Sequence, residues 1–420
     1  MARHIVIIGN GITGITAARF IRKLSSDRIT VVSSETDHFY ARTALMYIYM
    51  GHMRYRETKP YEDYFWSRNK IELVRGYASQ IDTEAKAVRI ADGNDIAYDA
   101  LLLATGSQSN KFGWPGQDLR GVQGLYGMQD LALMERNTQG ITRGVIVGGG
   151  LIGIEMAEML HTRHIPVTFL VREKSYMEYL LPKEESAQIN QEILDHGIDL
   201  RLETELKSIL GPEGSVEAVE TNQDERIRCE FVGLTAGVHP NIDLAKTSGI
   251  QTNKGIVVNE FFETNVPNVY AAGDCAEFNA DGIGGRRIEQ LWYTGRAHGK
   301  TVAHTLCGQR TPYRRGIFFN SAKFFTMEYQ TYGDVLPQPE AHVQSQVFQR
   351  GRKLLRVNSD RESGRVLGLN ALGLRLRQDQ CEAWIRSGAS VQEVLKSLGK
   401  KARFDAEFYS NAIYREAAQA

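Results

Sequence analysis

The stretch that most constrains this chain is its first thirty-five residues. A short apolar run, Ile5 to Ile8, breaks into Gly9-Asn10-Gly11-Ile12-Thr13-Gly14. Such a run bounded by glycine predicts a buried strand, and the glycines predict a tight turn open to phosphate. Ile12 to Leu24, with apolar residues at helical spacing, predicts the helix that follows. The N-terminus of that helix can seat an anion, because its first N–H groups lack helical partners and the dipole is positive there. A second run, Ile29 to Val32, leads to Glu35, about twenty residues beyond Gly14, where an acid takes the hydroxyls of a ribose. Strand, turn, helix, strand and acid in that order predict a dinucleotide grip.

At 420 residues the chain exceeds one compact core and predicts two or three domains. Its 50 basic and 50 acidic residues cancel, and no dense block of either sign occurs. That argues against a nucleic-acid or membrane-surface partner. No apolar stretch approaches the length of a spanning helix, and a strand begins directly after Met-Ala-Arg-His, so the expected location is the cytoplasm. Cys229, Cys275, Cys307 and Cys381 are widely separated and form no CxxC or metal-ligand spacing, which predicts reduced structural thiols and no metal site.

Along the chain, Ile71 to Val74, Ala87 to Ile90 and Asp99 to Ala104 read as strands of a small antiparallel excursion that returns to a parallel strand ending in Ala104-Thr105-Gly106. A glycine-rich loop, Phe112 to Gly127, reads as a linker. Then the opening pattern repeats: Gly144 to Val147, the turn Gly148-Gly149-Gly150-Leu-Ile-Gly153, Glu155, and a second strand over Val167 to Val171. Two such units imply two nucleotides. Later, Asn268 to Asp274 ends a buried strand in Gly273-Asp274, which places a carboxylate at the ligand-binding edge of a parallel sheet. From Tyr313 onward the texture changes to short aromatic strands, including Ile317 to Phe319 and Phe324 to Met327, followed by two helices. This predicts a separate α+β domain.

Taken together, these stretches resemble the pyridine nucleotide-disulfide oxidoreductase superfamily of two-dinucleotide flavoproteins over roughly residues 3 to 310. The fold implied is α/β: two Rossmann-like domains, the FAD domain interrupted by the NAD(P) domain, plus a C-terminal α+β domain. The expected boundaries are 1–115 and 249–312 for the FAD domain, 116–248 for the NAD(P) domain and 313–420 for the last. The resemblance implies that Gly9, Gly11, Gly14 and Glu35 hold the adenosine diphosphate half of FAD, and that Gly273-Asp274 offers a carboxylate to its ribityl chain. Ala78 resembles the position whose backbone meets the adenine, and Thr105, Gly106 and Gly237 stand in the family's other two cofactor motifs. Gly148, Gly150, Gly153 and Glu155 would line the nicotinamide nucleotide site, Glu155 toward the nicotinamide.

Within the superfamily, disulfide reductases carry a reactive cysteine shortly after the first acid, where a thiolate relays electrons from the flavin. Thr36 to Arg56 contains none. Instead Tyr40-Ala41-Arg42-Thr43-Ala44-Leu45 is similar to the aromatic-x-Arg-Pro-x-Leu segment of the ferredoxin, rubredoxin and nitrite reductase branch, with Thr43 in place of the proline and Tyr47 where many members have a lysine. The resemblance puts the Arg42 guanidinium beside the FAD, where it can hold phosphate oxygens. Gln290 and Trp292 lie where this branch runs a helix past the flavin ring. For the nicotinamide, Val171 stands at the acid position and Arg172 follows it, a pattern similar to NADP-dependent glutathione reductases. Glu173 would serve ribose hydroxyls if the strand ran longer. NADPH is the favoured expectation, with NADH retained.

The expected activity is an FAD-dependent NAD(P)H oxidoreductase that passes a hydride from NAD(P)H to flavin and then electrons to an external iron-sulfur carrier of the ferredoxin or rubredoxin kind. The cofactors supply the chemistry and the protein supplies geometry, so no catalytic triad is expected. Kept beside it are an oxidase or quinone reductase of the same fold and a flavin redox sensor that does not turn over. The tail from Tyr313 is expected to form either a homodimer contact or a docking surface.

Overall fold

The computed structural model describes residues 2–91, 93–279, 287–402 and 412–419. The chain divides into two compact units, one formed by Met1–Phe112, Gln123–Gln139 and Gly237–Arg314, the other by Gly113–Val122, Gly140–Ala236 and Arg315–Ala420.

The first unit is built on a five-stranded parallel sheet. Its order is Val269–Ala271, Ala100–Leu103, His4–Ile8, Arg28–Ser33, Ile71–Arg75. Ile5, Val6, Ile7, Leu101, Leu102 and Leu103 are fully buried, as a sheet covered on both faces requires. The helix Ile12–Leu24 buries Ile15, Ala17, Ala18 and Ile21 against it and ends at Ser25, whose N–H still reaches Ile21. A second helix, Trp292–Leu306, crosses close to the first through Gly295 and Gly299. A methyl group on Gly299 would lie 2.4 Å from the Thr13 carbonyl oxygen, so only glycine permits that approach.

One expectation is corrected here. Ile71–Arg75 is not part of the antiparallel excursion; it pairs in parallel with Arg28–Ser33, Ile71 opposite Ile29, because its apolar residues complete the edge of the main sheet. The excursion proper is Ala78–Asp82, Ala87–Ile90 and Ile96–Ala97.

The second unit repeats the pattern. Asp199–Arg201, Val167–Leu170, Gly144–Val147 and Phe231–Leu234 run parallel, with the helix Leu151–Thr162 following the glycine turn. The tail forms an antiparallel sheet ordered Phe319–Phe324, Met327–Gly333, Val366–Leu372, Lys353–Asp360, Val343–Arg350. The expected strand from Phe324 to Met327 is instead a hairpin turn: Phe324 pairs with Met327 across it, and Phe325 takes φ 53.

The tail packs in the same unit as the second dinucleotide fold, and its cations satisfy that fold's carboxylates. Arg356 grips the fully buried Glu185 at 2.6 and 2.8 Å, Arg352 meets Glu192 at 2.9 Å, and Lys323 meets Glu158 at 2.9 Å. Residues 123–139 and 237–248, expected in the nucleotide domain, pack in the first unit. There Tyr49 bonds Thr138 at 2.7 Å and Thr105 donates to the Asn241 carbonyl at 2.6 Å.

Candidate functional site

In the first unit the glycine turn is shaped by backbone contact. Gly9 takes φ +113 with the Ala104 carbonyl 2.1 Å from where a Cβ would sit, and a Cβ on Gly14 would meet the Gly9 oxygen at 2.0 Å. Gly11, by contrast, faces open space, and the helix that begins after it has no side-chain cap. Open approach, free N–H groups and the positive helix end together fit the diphosphate of a dinucleotide. Asn10 rivets the turn to the next strand's exit by donating to the Thr36 carbonyl at 2.8 Å.

Glu35 leaves that exit into a dense set of donors. Arg42 donates to it at 3.0 and 2.6 Å, the Met128 amide at 3.1 Å, and the Tyr40 hydroxyl also donates. Burial pushes the Glu35 carboxyl up, but the Arg42 charge and these bonds outweigh it and hold it below the ordinary value. Arg42 also donates to the Tyr126 carbonyl and lies 4.4 Å above the Tyr126 ring. The two expected ligands are thus brought together and bonded to each other.

Gly273 turns at φ +85 and presents Asp274 beside Ser107, whose hydroxyl donates to Asp274 Oδ2 at 3.2 Å. Gln290 donates to that same hydroxyl at 2.9 Å. Tyr126 approaches Asp274 at 3.5 Å and accepts no Cβ on Gly106, which would meet its hydroxyl at 2.7 Å. Burial raises the Asp274 carboxyl above its ordinary value despite the Ser107 hydrogen bond and the Arg42 charge. Gly9, Gly11, Gly14, Glu35, Arg42, Gly106, Gly273, Asp274 and Gln290 therefore fall into linked contacts. Ala78 is a buried strand residue paired with Ile90, Thr105 serves the Asn241 carbonyl, and Gly237, at φ +92, lies by Asn110. Trp292 opens its helix packed edge-on to Tyr293, with Arg296 5.9 Å over its ring. Sequence reasoning missed Ser107 and Tyr126, whose only sequence signal is adjacency to Gly106 and Gly127.

In the second unit Gly148 takes φ +116 against the Thr235 backbone, and a Cβ on Gly153 would meet the Gly148 oxygen at 2.3 Å. Gly150 leaves room for a Cβ, its nearest neighbours being the Tyr179 hydroxyl at 3.9 Å and the Thr235 carbonyl oxygen at 4.0 Å, and its carbonyl accepts from Tyr176 at 2.8 Å. This turn therefore has the same shape as the first. Glu155 is half-buried on the helix and is pushed up to about 7, first by desolvation and then by the charge of Glu158. At the end of Val167–Leu170, Arg172 points into solvent, 74% exposed, and donates to Glu173 Oε1 at 2.8 Å. Glu173 is only 15% exposed, and its other oxygen lies 3.6 Å from a Cβ built on Gly149.

All four cysteines are unpaired, and Cys229, Cys275 and Cys381 are buried. Burial raises the Cys275 thiol, so the cysteine nearest Asp274 is no thiolate. Among the described residues no helix is long and apolar enough to cross a membrane, and no group of three or more His, Cys, Asp or Glu is placed to hold a metal.

A family model described as pyridine nucleotide-disulphide oxidoreductase matches residues 3–299. Rhodocoxin reductase of Rhodococcus erythropolis is 31% identical over 326 residues, covering 76% of this chain and 76% of that protein. The ferredoxin–NAD(+) reductase subunit of the benzene 1,2-dioxygenase system of Pseudomonas putida is 28% identical, covering 74% of this chain and 75% of that one. The chain spans only about two fifths of the length of two Bacillus subtilis relatives, the assimilatory nitrate reductase electron transfer subunit and nitrite reductase. In fold, it superposes on the crystal structure of a ferredoxin reductase from Rhodopseudomonas palustris with a TM-score of 0.79 at 23% identity, over 88% of this chain and 91% of that one.

Proposed function

The chain belongs to the pyridine nucleotide-disulphide oxidoreductase family, and from that membership we propose that it is an FAD-dependent NAD(P)H oxidoreductase serving an external electron acceptor. FAD when bound supplies a ring able to take two electrons from a nicotinamide nucleotide and release them one at a time. Everything else is the work of this chain's residues. Gly9, Gly11 and Gly14 leave the backbone open to the diphosphate, and Glu35, held by Arg42, offers its carboxylate to ribose hydroxyls. Asp274, held by Ser107, accepts from the ribityl hydroxyls.

The observation that carries the reading is the pair of uncapped glycine turns, Gly9–Gly14 and Gly148–Gly153, each followed by a helix and a strand that ends at an acid. The absence of any cysteine from Thr36 to Arg56 supports an acceptor outside the chain. A one-electron iron-sulfur protein of the ferredoxin or rubredoxin kind is that acceptor, and a cytoplasmic location, in keeping with four unpaired thiols, belongs to the same reading.

For the nicotinamide nucleotide, NADH replaces the expectation of NADPH. The shielding of Glu173 and its turn toward the glycine loop support its reading as the acid for the ribose hydroxyls, while Arg172 lies in solvent and spends a bond on Glu173. A 2′-phosphate would meet that carboxylate.

The test is anaerobic reduction of the FAD-loaded protein with NADH, followed by mixing with a ferredoxin, a rubredoxin, a quinone and dioxygen in parallel. Fast electron transfer to one of the iron-sulfur proteins is expected. A purified protein that is colourless and cannot be loaded with FAD overturns the reading.

A further inference from the structure

Behind Gly273-Asp274 lies a buried polar cluster. His298, on the helix Trp292–Leu306, is fully buried and ringed by Phe262, Phe278 and Tyr313 at 5.1, 5.4 and 4.5 Å between ring centres. Its Nδ1 accepts from the Gly273 amide at 3.2 Å. An amide can only donate, so Nδ1 carries no proton and the ring proton of the neutral imidazole sits on Nε2. That Nε2 donates to Glu289 Oε2 at 3.1 Å, and the Tyr313 hydroxyl donates to the same oxygen at 2.7 Å. Glu289 and Tyr313 are themselves almost wholly buried.

A buried polar group in an aromatic cage is costly unless bonded, and here donation runs from the Gly273 amide to His298 and from His298 and Tyr313 to the shared Glu289 oxygen, which ties the turn to that carboxylate. On its other side the turn is closed by the first glycine motif. A Cβ on Gly273 would lie 2.5 Å from Thr13 Oγ1. The turn is thus pinned between Thr13 and His298, and the carboxylate it presents is that of Asp274.

We propose that Glu289, His298 and Tyr313 are positioning residues for Asp274: a relay that fixes one imidazole tautomer and, through it, the Gly273-Asp274 turn in the place where the carboxylate meets a flavin hydroxyl. The proposal rests on the reading of Asp274 as a flavin ligand, and the test separates the two. FAD is titrated into the deflavinated protein and into D274N, H298L, H298N and the D274N/H298L double variant. Flavin fluorescence and the visible absorption band are the readouts, and nicotinamide nucleotide affinity is the control for an intact fold.

D274N and H298L are each expected to weaken FAD about tenfold, the scale of one lost buried hydrogen bond. The double variant should bind no worse than D274N alone, because both changes remove one interaction. H298N, whose amide oxygen still accepts from Gly273, should restore most of the affinity. If D274N binds FAD as the wild type does, the reading of Asp274 fails. If D274N weakens FAD while H298L does not, or if the two penalties add, the relay is overturned. Should H298L fail to fold, Y313F takes its place in the cycle: non-additivity with D274N supports the relay and additivity overturns it.

Discussion

Arg42 holds Glu35 with both terminal guanidinium nitrogens, Nη1 at 3.0 Å and Nη2 at 2.6 Å from its two oxygens. Such a two-point clamp fixes the plane of a carboxylate as well as its place, so Arg42 sets the direction in which the Glu35 carboxylate faces, toward a ribose on the function proposed above.

Arg42→Met leaves that carboxylate shielded and unclamped. It should destabilise the protein at neutral pH by about 1 to 3 kcal/mol and weaken FAD by about tenfold. The pH dependence has a definite sign. Arg42 holds the Glu35 carboxyl below its ordinary 4.5, so the clamp contributes fully above that pH and is lost as pH falls through the folded value. Thermal unfolding from pH 3 to 7 should therefore show a steeper acid loss in the wild type than in R42M. Equal FAD affinity in the two proteins would remove Arg42 from the site.

Glu155 behaves in the opposite sense. Its carboxyl is raised to about 7, so the folded protein keeps a proton that the unfolded chain releases near pH 4.5, and stability falls as pH rises between those values. Above about 7 the effect is complete and flat. Glu155→Gln should remove this slope and stabilise the protein at pH 8, read as a higher Tm. An unchanged slope in E155Q would show that Glu155 ionises normally.

Glu173 and Arg172 should separate in a nucleotide preference assay. Glu173→Gln is expected to lower kcat/KM for NADH about tenfold, through loss of a charged acceptor for ribose hydroxyls, and to narrow the gap to NADPH. Arg172→Ala should leave NADH kinetics within about twofold. A selective loss of NADPH activity in R172A, with E173Q unaffected, would reverse the assignment.

How much of this was legible beforehand follows from the range over which each feature is determined. The Ile5–Ile8 run, the Gly9–Gly14 turn and the helix Ile12–Leu24 are set by neighbours in the chain, through glycine's freedom at φ +113 and the 3.6-residue spacing of apolar side chains. The second unit repeated that local grammar and was equally readable. The tail was less so, because Phe325 turns where an aromatic residue ordinarily extends a strand.

The sequence by itself determined two dinucleotide grips, their order, and the lack of a cysteine beside the first. Tertiary structure alone decided what surrounds them. Met128 reaches Glu35 across 93 residues and Ser107 reaches Asp274 across 167, and Arg356 finds Glu185 across 171. Glu173 instead of Arg172 faces the glycine turn for a similar reason. Which of two adjacent side chains points inward depends on where a strand ends against its neighbours, and packing across the sheet fixes that end.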